Sequence, residues 1–178
     1  MKEMIVLVLG FVLVNNYALS TGFFGLTPLV GFASRREKLL TLGLSVTAVM
    51  LITAPILWLL RGVIPAWTQI LCAAVLVLIL VYLLQLLLGK RLGVFFPAIA
   101  LNSAVFALAL NTLAADSIVT VLLTALGAGL GFLFGLFLLS GLEARIEDEQ
   151  LPKAFRGLPI RILAAAFVAL ALMAFSFK

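Results

Sequence analysis

The residues of this chain that could do chemistry in an apolar environment are carboxamides and hydroxyls. Two asparagines stand side by side in the stretch VLVNNYALSTGFFGLTP (residues 12–28), and a third precedes a serine in IALNSAV (residues 99–105). Amide and hydroxyl oxygens can replace water around a cation or bind a small neutral solute. The candidates for a central polar site and ion path are Asn15, Asn16, Thr27, Asn102 and Ser103.

Other kinds of site are excluded by composition. The chain has no histidine and only one cysteine, Cys72, so it cannot form an intrachain disulfide or, alone, an imidazole or multi-cysteine metal site. The apolar segments contain no Asp, Glu or Lys, and Arg161 at the start of the last one is their only arginine, while Asp116 borders another, which leaves a carboxylate proton relay unsupported. We therefore predict no catalytic residues and no metal ligands on this chain.

The elements that position these residues are membrane-spanning helices. Of the 178 residues, 65% are hydrophobic and 11% are charged, a composition typical of an integral membrane protein. A helix needs about 20 apolar residues to cross the hydrocarbon core. The sequence predicts six spans, at 4–21, 39–60, 66–88, 94–113, 117–140 and 160–177. Lys2 and ALST (residues 18–21) also resemble a cleaved signal peptide, but the asparagine motif recurs near residue 100, which favours a retained first span.

The basic residues are distributed unevenly between the two faces that six spans define. The first, third and fifth loops, together with Arg161 at the adjoining start of the sixth span, contain nine of the twelve, against Lys2, Arg61 and Lys178 on the opposite face. The positive-inside rule therefore places both termini outside and those three loops in the cytoplasm. The net charge of +5 is explained by these loops, so no nucleic-acid partner is predicted.

A weak internal match relates the two halves of the chain. LVNNYAL (residues 13–19) aligns with IALNSAV and pairs Asn16 with Asn102. Each half has three spans, so the second half must enter the membrane in the opposite direction. We predict an all-α integral membrane protein with one domain, 1–178, and six transmembrane helices. They form two inverted three-helix repeats, at about 1–88 and about 94–178, whose first helices are broken. The helix-breaking residues are Gly22, Gly25, Pro28 and Pro97.

Purely structural roles compete with a polar site. Asparagine also joins transmembrane helices by hydrogen bonds, at about 0.6 kcal/mol each. Three asparagines placed symmetrically beside helix breaks favour a shared site over separate helix contacts. For the glycine-rich stretch GAGLGFLFG (residues 127–135), the repeated GxxxG spacing favours close helix packing, and no Lys-Ser/Thr follows that would suit a phosphate loop.

Three stretches resemble a known family. LVNNYALSTGFFGLTPLVGFASRREK, GVFFPAIALNSAVFALAL and the tail LPKAFRGLPIRILAAAFVALALMAFSF are similar to the Rnf/Nqr membrane-subunit family, and to its RnfA/NqrE branch in particular. The resemblance implies a role within an ion-translocating redox complex and pairing with an oppositely inserted homologue. It also implies two cysteines per chain as ligands of a shared [2Fe–2S] cluster. Here Thr27 and Ser103 occupy those two positions.

Neutral hydroxyls are poor substitutes for thiolates, the soft, anionic ligands of iron–sulfur clusters. We therefore expect no cluster on this chain alone. The first functional hypothesis is a non-catalytic membrane subunit of an Rnf/Nqr-like translocase in a bacterial-type cytoplasmic (inner) membrane, where it helps form the ion path. The alternatives are a cluster-free transporter or channel for an ion or small solute, and a structural membrane anchor. The expected partners are lipid, redox subunits, and either an oppositely oriented homologue or a second copy of this chain.

Overall fold

The described part of the chain is helical. A computed structural model describes residues 2–16, 36–88, 99, 102–146 and 151–174. These described residues form six α-helices: α1 (Lys2–Leu13), α2 (Arg36–Leu60), α3 (Gln69–Leu88), α4 (Ser103–Thr112), α5 (Ile118–Glu143) and α6 (Leu158–Met173). Short 3₁₀ turns at Ala66–Thr68 and Lys153–Phe155 precede α3 and α6.

Three of these helices are long and apolar enough to cross a membrane. They are Leu39–Leu60 within α2, Gln69–Leu87 within α3, and α5. Their positions agree with the predicted spans 39–60, 66–88 and 117–140. The remaining helices are shorter, and α4 and α6 are apolar helices below full spanning length by themselves.

The first and fourth predicted spans are each represented by one short helix in the described residues. Within the predicted span 4–21, α1 ends at Leu13, and residues 14–16 are not helical. Within 94–113, α4 begins only at Ser103. The predicted helix-breaking residues Gly22, Gly25, Pro28 and Pro97 lie outside the described residues, so their role in breaking the first helix of each half stays a prediction.

Helices α2 and α5 pack against each other in opposite directions along nearly their whole length. Near the start of α2, Gly43 contacts the side chain of Leu133. One turn later, Thr47 lies so close to Gly129 that a β-carbon there would be 2.5 Å from the threonine methyl. Moving four residues forward along α2 thus moves four residues back along α5. Small residues permit this close approach of two long apolar helices.

The same antiparallel pairing is closed by hydrogen bonds at the end of α2. The Trp58 indole Nε1 donates to the carbonyl oxygen of Ala115, 2.8 Å away, just before α5 begins. The Arg61 guanidinium donates to the same carbonyl and stacks over the Trp58 ring, 4.4 Å from its centroid. A polar clasp therefore fixes this end of the pair, while the middle is held by apolar packing.

The short helices are packed on this central pair. Helix α1 lies against α5, and α4 lies against α2, so each of these two helices contacts the long helix of the other half of the chain. The buried core joins α2 to α6 through residues such as Val46, Leu108, Phe132 and Ala169. At the far end of α5, Glu143 pairs with Arg161 of α6, with 3.2 Å between Oε1 and Nε.

Candidate polar site at two helix ends

Asn16 stands just beyond the end of α1 and is completely buried, with 0% of its surface exposed. The last turn of α1 widens, because the carbonyl of Gly10 accepts from the N–H groups of both Val14 and Asn15. The amide nitrogen of Asn16 then donates to the carbonyl of Val12, at 2.8 Å, and to that of Gly131 in α5, at 3.0 Å. Asn16 therefore satisfies an otherwise unpaired carbonyl at the helix end and ties α1 to α5.

Two glycines on one face of α5 allow α1 to come this close. A β-carbon at Gly131 would lie 2.9 Å from the main-chain oxygen of Phe11 and 3.1 Å from the Asn16 amide nitrogen. One turn earlier, a β-carbon at Gly127 would lie 2.9 Å from Cβ of Phe11 and 3.2 Å from the Val8 oxygen. The GxxxG pair is thus the contact surface for α1, in agreement with the packing role predicted for it.

Asn102 stands at the start of α4 and is also 0% exposed. Its backbone is extended, and its Oδ1 accepts from the N–H of Ala104 at 3.0 Å, which makes it the N-cap of the helix. Its main-chain carbonyl accepts from Val105, continuing the helical pattern. Within the described residues its amide nitrogen has no hydrogen-bond partner. A buried amide donor without a partner is costly, so this group is suited to a ligand, ion-bound water or passing solute.

The two helix ends present opposite partial charges to the interior. The end of α1 exposes carbonyl oxygens, the negative end of a helix dipole, whereas the start of α4 exposes N–H groups, the positive end. Both helices contribute to one hydrophobic core, in which Ala104 of α4 is buried and against which Phe11 of α1 packs. Helix ends inside a membrane protein are places where ions and polar solutes can be bound.

The predicted site residues do not all share this environment. Asn16 and Asn102 are buried, whereas Asn15 and Ser103 are exposed in the structure of this chain. Thr27 lies outside the described residues. The prediction from sequence missed the main-chain oxygens of Val12 and Gly131 as partners of Asn16. The GxxxG spacing was the signal that α5 would expose backbone to a neighbour.

The residues available for a [2Fe–2S] cluster do not fit that group. The only cysteine, Cys72, lies in the first turn of α3, beside a groove that α3 forms with α2. Ser103 is the first residue of α4 and offers a neutral hydroxyl. In the described part of the chain no three His, Cys, Asp or Glu side chains are grouped as metal ligands. One thiol placed away from Ser103 cannot supply the thiolate pair that the resemblance implies.

Comparison with known proteins places the whole chain among related sequences. The family described as "Rnf-Nqr subunit, membrane protein" matches residues 4–178. The A component of the ion-translocating oxidoreductase complex of Syntrophotalea carbinolica is 35% identical, over 99% of this chain and 97% of that protein. The A component of the Na(+)-translocating ferredoxin:NAD(+) oxidoreductase complex of Acetobacterium woodii is 29% identical over 97% and 96%. The A component of the ion-translocating oxidoreductase complex of Glaesserella parasuis is 30% identical over 99% and 97%.

Proposed function

Because this chain belongs to the Rnf-Nqr subunit family of membrane proteins, we propose that it is a membrane subunit of an ion-translocating oxidoreductase complex. It is a non-catalytic subunit of the RnfA/NqrE type that helps form the ion path, while other subunits transfer the electrons. Its relatives are named as the A components of such complexes, and it matches them over nearly their full length.

The fold that we propose for this role is an inverted repeat of six spans. The alignment of Asn16 with Asn102 also aligns Gly43 with Gly129, and Thr47 with Leu133. Under this alignment, the contact between Gly43 and Leu133 is equivalent to the contact between Gly129 and Thr47, with the two halves of the chain exchanged. A two-fold axis in the membrane plane, between α2 and α5, accounts for both contacts.

The observation that carries the proposed ion path is the pair of fully buried asparagines at two helix ends. The negative dipole end of α1 suits a cation, and the Asn102 amide, unpartnered within the described residues, suits a water or ligand that accompanies it. Under the inverted repeat, Asn16 and Asn102 are equivalent positions of the two halves. We therefore place the path at their junction, with Asn16 and Asn102 as its polar residues and Asn15, Thr27 and Ser103 as secondary candidates.

In the cell, we propose that the chain inserts in a bacterial-type cytoplasmic membrane with both termini outside. The uneven distribution of basic residues then gives every copy the same orientation. An antiparallel pair would need a different, oppositely biased chain. The expected partners are therefore a homologous subunit of opposite orientation and the redox subunits of the complex.

Affinity purification of the tagged chain from its native membrane tests the assembly. We expect flavin- or iron–sulfur-bearing subunits and a second six-span homologue to copurify in fixed ratio. A tagged, unrelated six-span protein from the same membrane serves as the control. Recovery of the chain as a homo-oligomer, active in ion flux without redox subunits, would contradict this and favour the transporter hypothesis.

We further propose that this chain binds no cluster by itself. Iron and acid-labile sulfide analysis of the purified chain should give far less than one cluster per chain, and its visible spectrum should lack charge-transfer bands. Replacing both Thr27 and Ser103 with cysteine, followed by cluster reconstitution with the homologous partner, is the matched positive control. A cluster retained by the unaltered chain at one per molecule would refute the proposal.

A further inference from the structure

An apolar groove runs between α2 and α3 at the end of the molecule that carries the polar clasp. Its volume is about 350 Å³, and its walls include Leu57 and Leu60 of α2 and Cys72, Val75 and Ile79 of α3. The α3 residues recur on one face of the helix and extend over roughly 10 Å, at 1.5 Å per residue. The groove is open to the surroundings along a helix that is long and apolar enough to cross the membrane.

One basic residue belongs to the segment that lines the groove. Arg61 lies in the chain between Leu60 and Ile64, two of the lining residues, and it is exposed. Its guanidinium is held in place by the carbonyl of Ala115 and by the ring of Trp58. A guanidinium has five N–H donors, and within the described residues only the Ala115 carbonyl is seen to accept from it. The remaining donors are in an arrangement that suits the paired oxygens of a phosphate.

From this juxtaposition we propose that the groove is a binding site for a membrane phospholipid. One acyl chain lies between Leu57 and Val75, and the phosphate binds the Arg61 guanidinium. An aliphatic chain matches a groove with apolar walls, and each methylene removed from water or from a poorly packed surface favours binding. Trp67, 86% exposed in the turn between the two helices, marks the interfacial level at which headgroups lie.

The positive charge of Arg61 favours a phospholipid over a helix of a partner protein as the occupant of the groove. A partner helix would cover the apolar walls but would leave the fixed guanidinium to find its own anion. A phospholipid satisfies both features with one molecule, and its phosphate stays at the membrane surface, where Arg61 already is. This site is separate from the buried asparagines and does not depend on the proposed ion path.

The single thiol of the chain lines the groove and is therefore a natural reporter. The experiment measures the rate at which N-ethylmaleimide alkylates Cys72 in the delipidated, full-length chain in detergent, with and without phosphatidylglycerol. At a lipid concentration ten times the Kd, alkylation should slow about tenfold, because only the unoccupied fraction reacts. Diacylglycerol with the same chains, and inorganic phosphate alone, should protect far less.

Matched variants separate the site from general effects of lipid. Arg61→Gln should weaken the affinity for the lipid about tenfold, the effect of losing a charged hydrogen bond, so that the same lipid concentration slows alkylation only about twofold, whereas Arg145→Gln, an exposed arginine elsewhere, should leave protection unchanged. Val75→Phe should fill the groove and reduce lipid-dependent protection, whereas Val119→Phe, also on an exposed position, should leave it intact.

A second reporter checks the location. In a Cys72→Ala chain, the exposed position Val119→Cys should show little protection by the same lipid. Equal protection at both cysteines, equal protection by diacylglycerol, or unchanged protection in Arg61→Gln would overturn the proposal. A Cys72 thiol that stays protected in the delipidated native complex would also overturn it, by showing that a protein partner covers the groove.

Discussion

Ion movement through the complex is expected to be lost when Asn16 and Asn102 are both replaced by leucine. Leucine has nearly the same shape as asparagine but can neither donate nor accept a hydrogen bond. The double variant would leave an apolar barrier between the end of α1 and the start of α4, where both asparagines are 0% exposed. Redox-driven ion uptake into sealed membrane vesicles should fall about tenfold or more, which corresponds to about 1.4 kcal/mol.

The matched control is Asn111→Leu. Asn111 belongs to α4, the helix that Asn102 caps, but its side chain is exposed. The same chemical change there should leave ion uptake close to that of the unaltered complex. The yield and subunit composition of the complex must be equal in all variants. Normal uptake by an intact complex carrying both leucines would leave these asparagines a scaffold role only.

Single substitutions at Asn102 separate the capping role of its side-chain oxygen from the role of its side-chain amide nitrogen. Serine is also a good N-cap, so Asn102→Ser should keep the start of α4, whereas loss of the cap costs about 1 kcal/mol. The Ser variant has no amide nitrogen, the group that lacks a partner among the described residues. If the path uses that donor, Asn102→Ser should resemble the leucine variant in ion uptake but not in stability.

The long spans could be predicted from sequence because their evidence is local. A run of about 20 apolar residues without charge has few stable alternatives to a transmembrane helix. That is why α2, α3 and α5 were located to within a few residues of their ends. The family was predicted from residues near the two asparagine motifs and the tail, and the match over residues 4–178 confirms it.

The end of α1 could not be predicted in the same way, because it depends on a distant part of the chain. We predicted a span over residues 4–21, but α1 ends within it, at Leu13. The Asn16 amide that follows is satisfied partly by the carbonyl of Gly131, 115 residues away. Sequence spacing marked α5 as a surface for close packing but could not indicate that α1, and the Asn16 amide, would be its partner.

The substitution Gly131→Leu is expected to have the largest effect on the fold. A β-carbon added at this position would lie 2.9 Å from the Phe11 oxygen, which belongs to rigid helical backbone and cannot move as a side chain would. Alanine should therefore destabilise by about 1–3 kcal/mol, as overpacking does, and leucine by more. Leucine would also separate α1 from α5 and break the hydrogen bond from Asn16, so both stability and ion uptake should be lost. The fraction of protein that remains monodisperse after heating in detergent measures the first effect.

The control for this substitution is available on the same helix. Gly141 also belongs to α5, but nothing lies within 4 Å of a β-carbon built there. Gly141→Leu should leave the midpoint of thermal inactivation unchanged or slightly raised, because leucine has the higher helix propensity. If Gly131→Leu and Gly141→Leu behaved alike, α1 could not be packed on the glycine face of α5. The ion path that we propose at Asn16 and Asn102 would then lose its structural support.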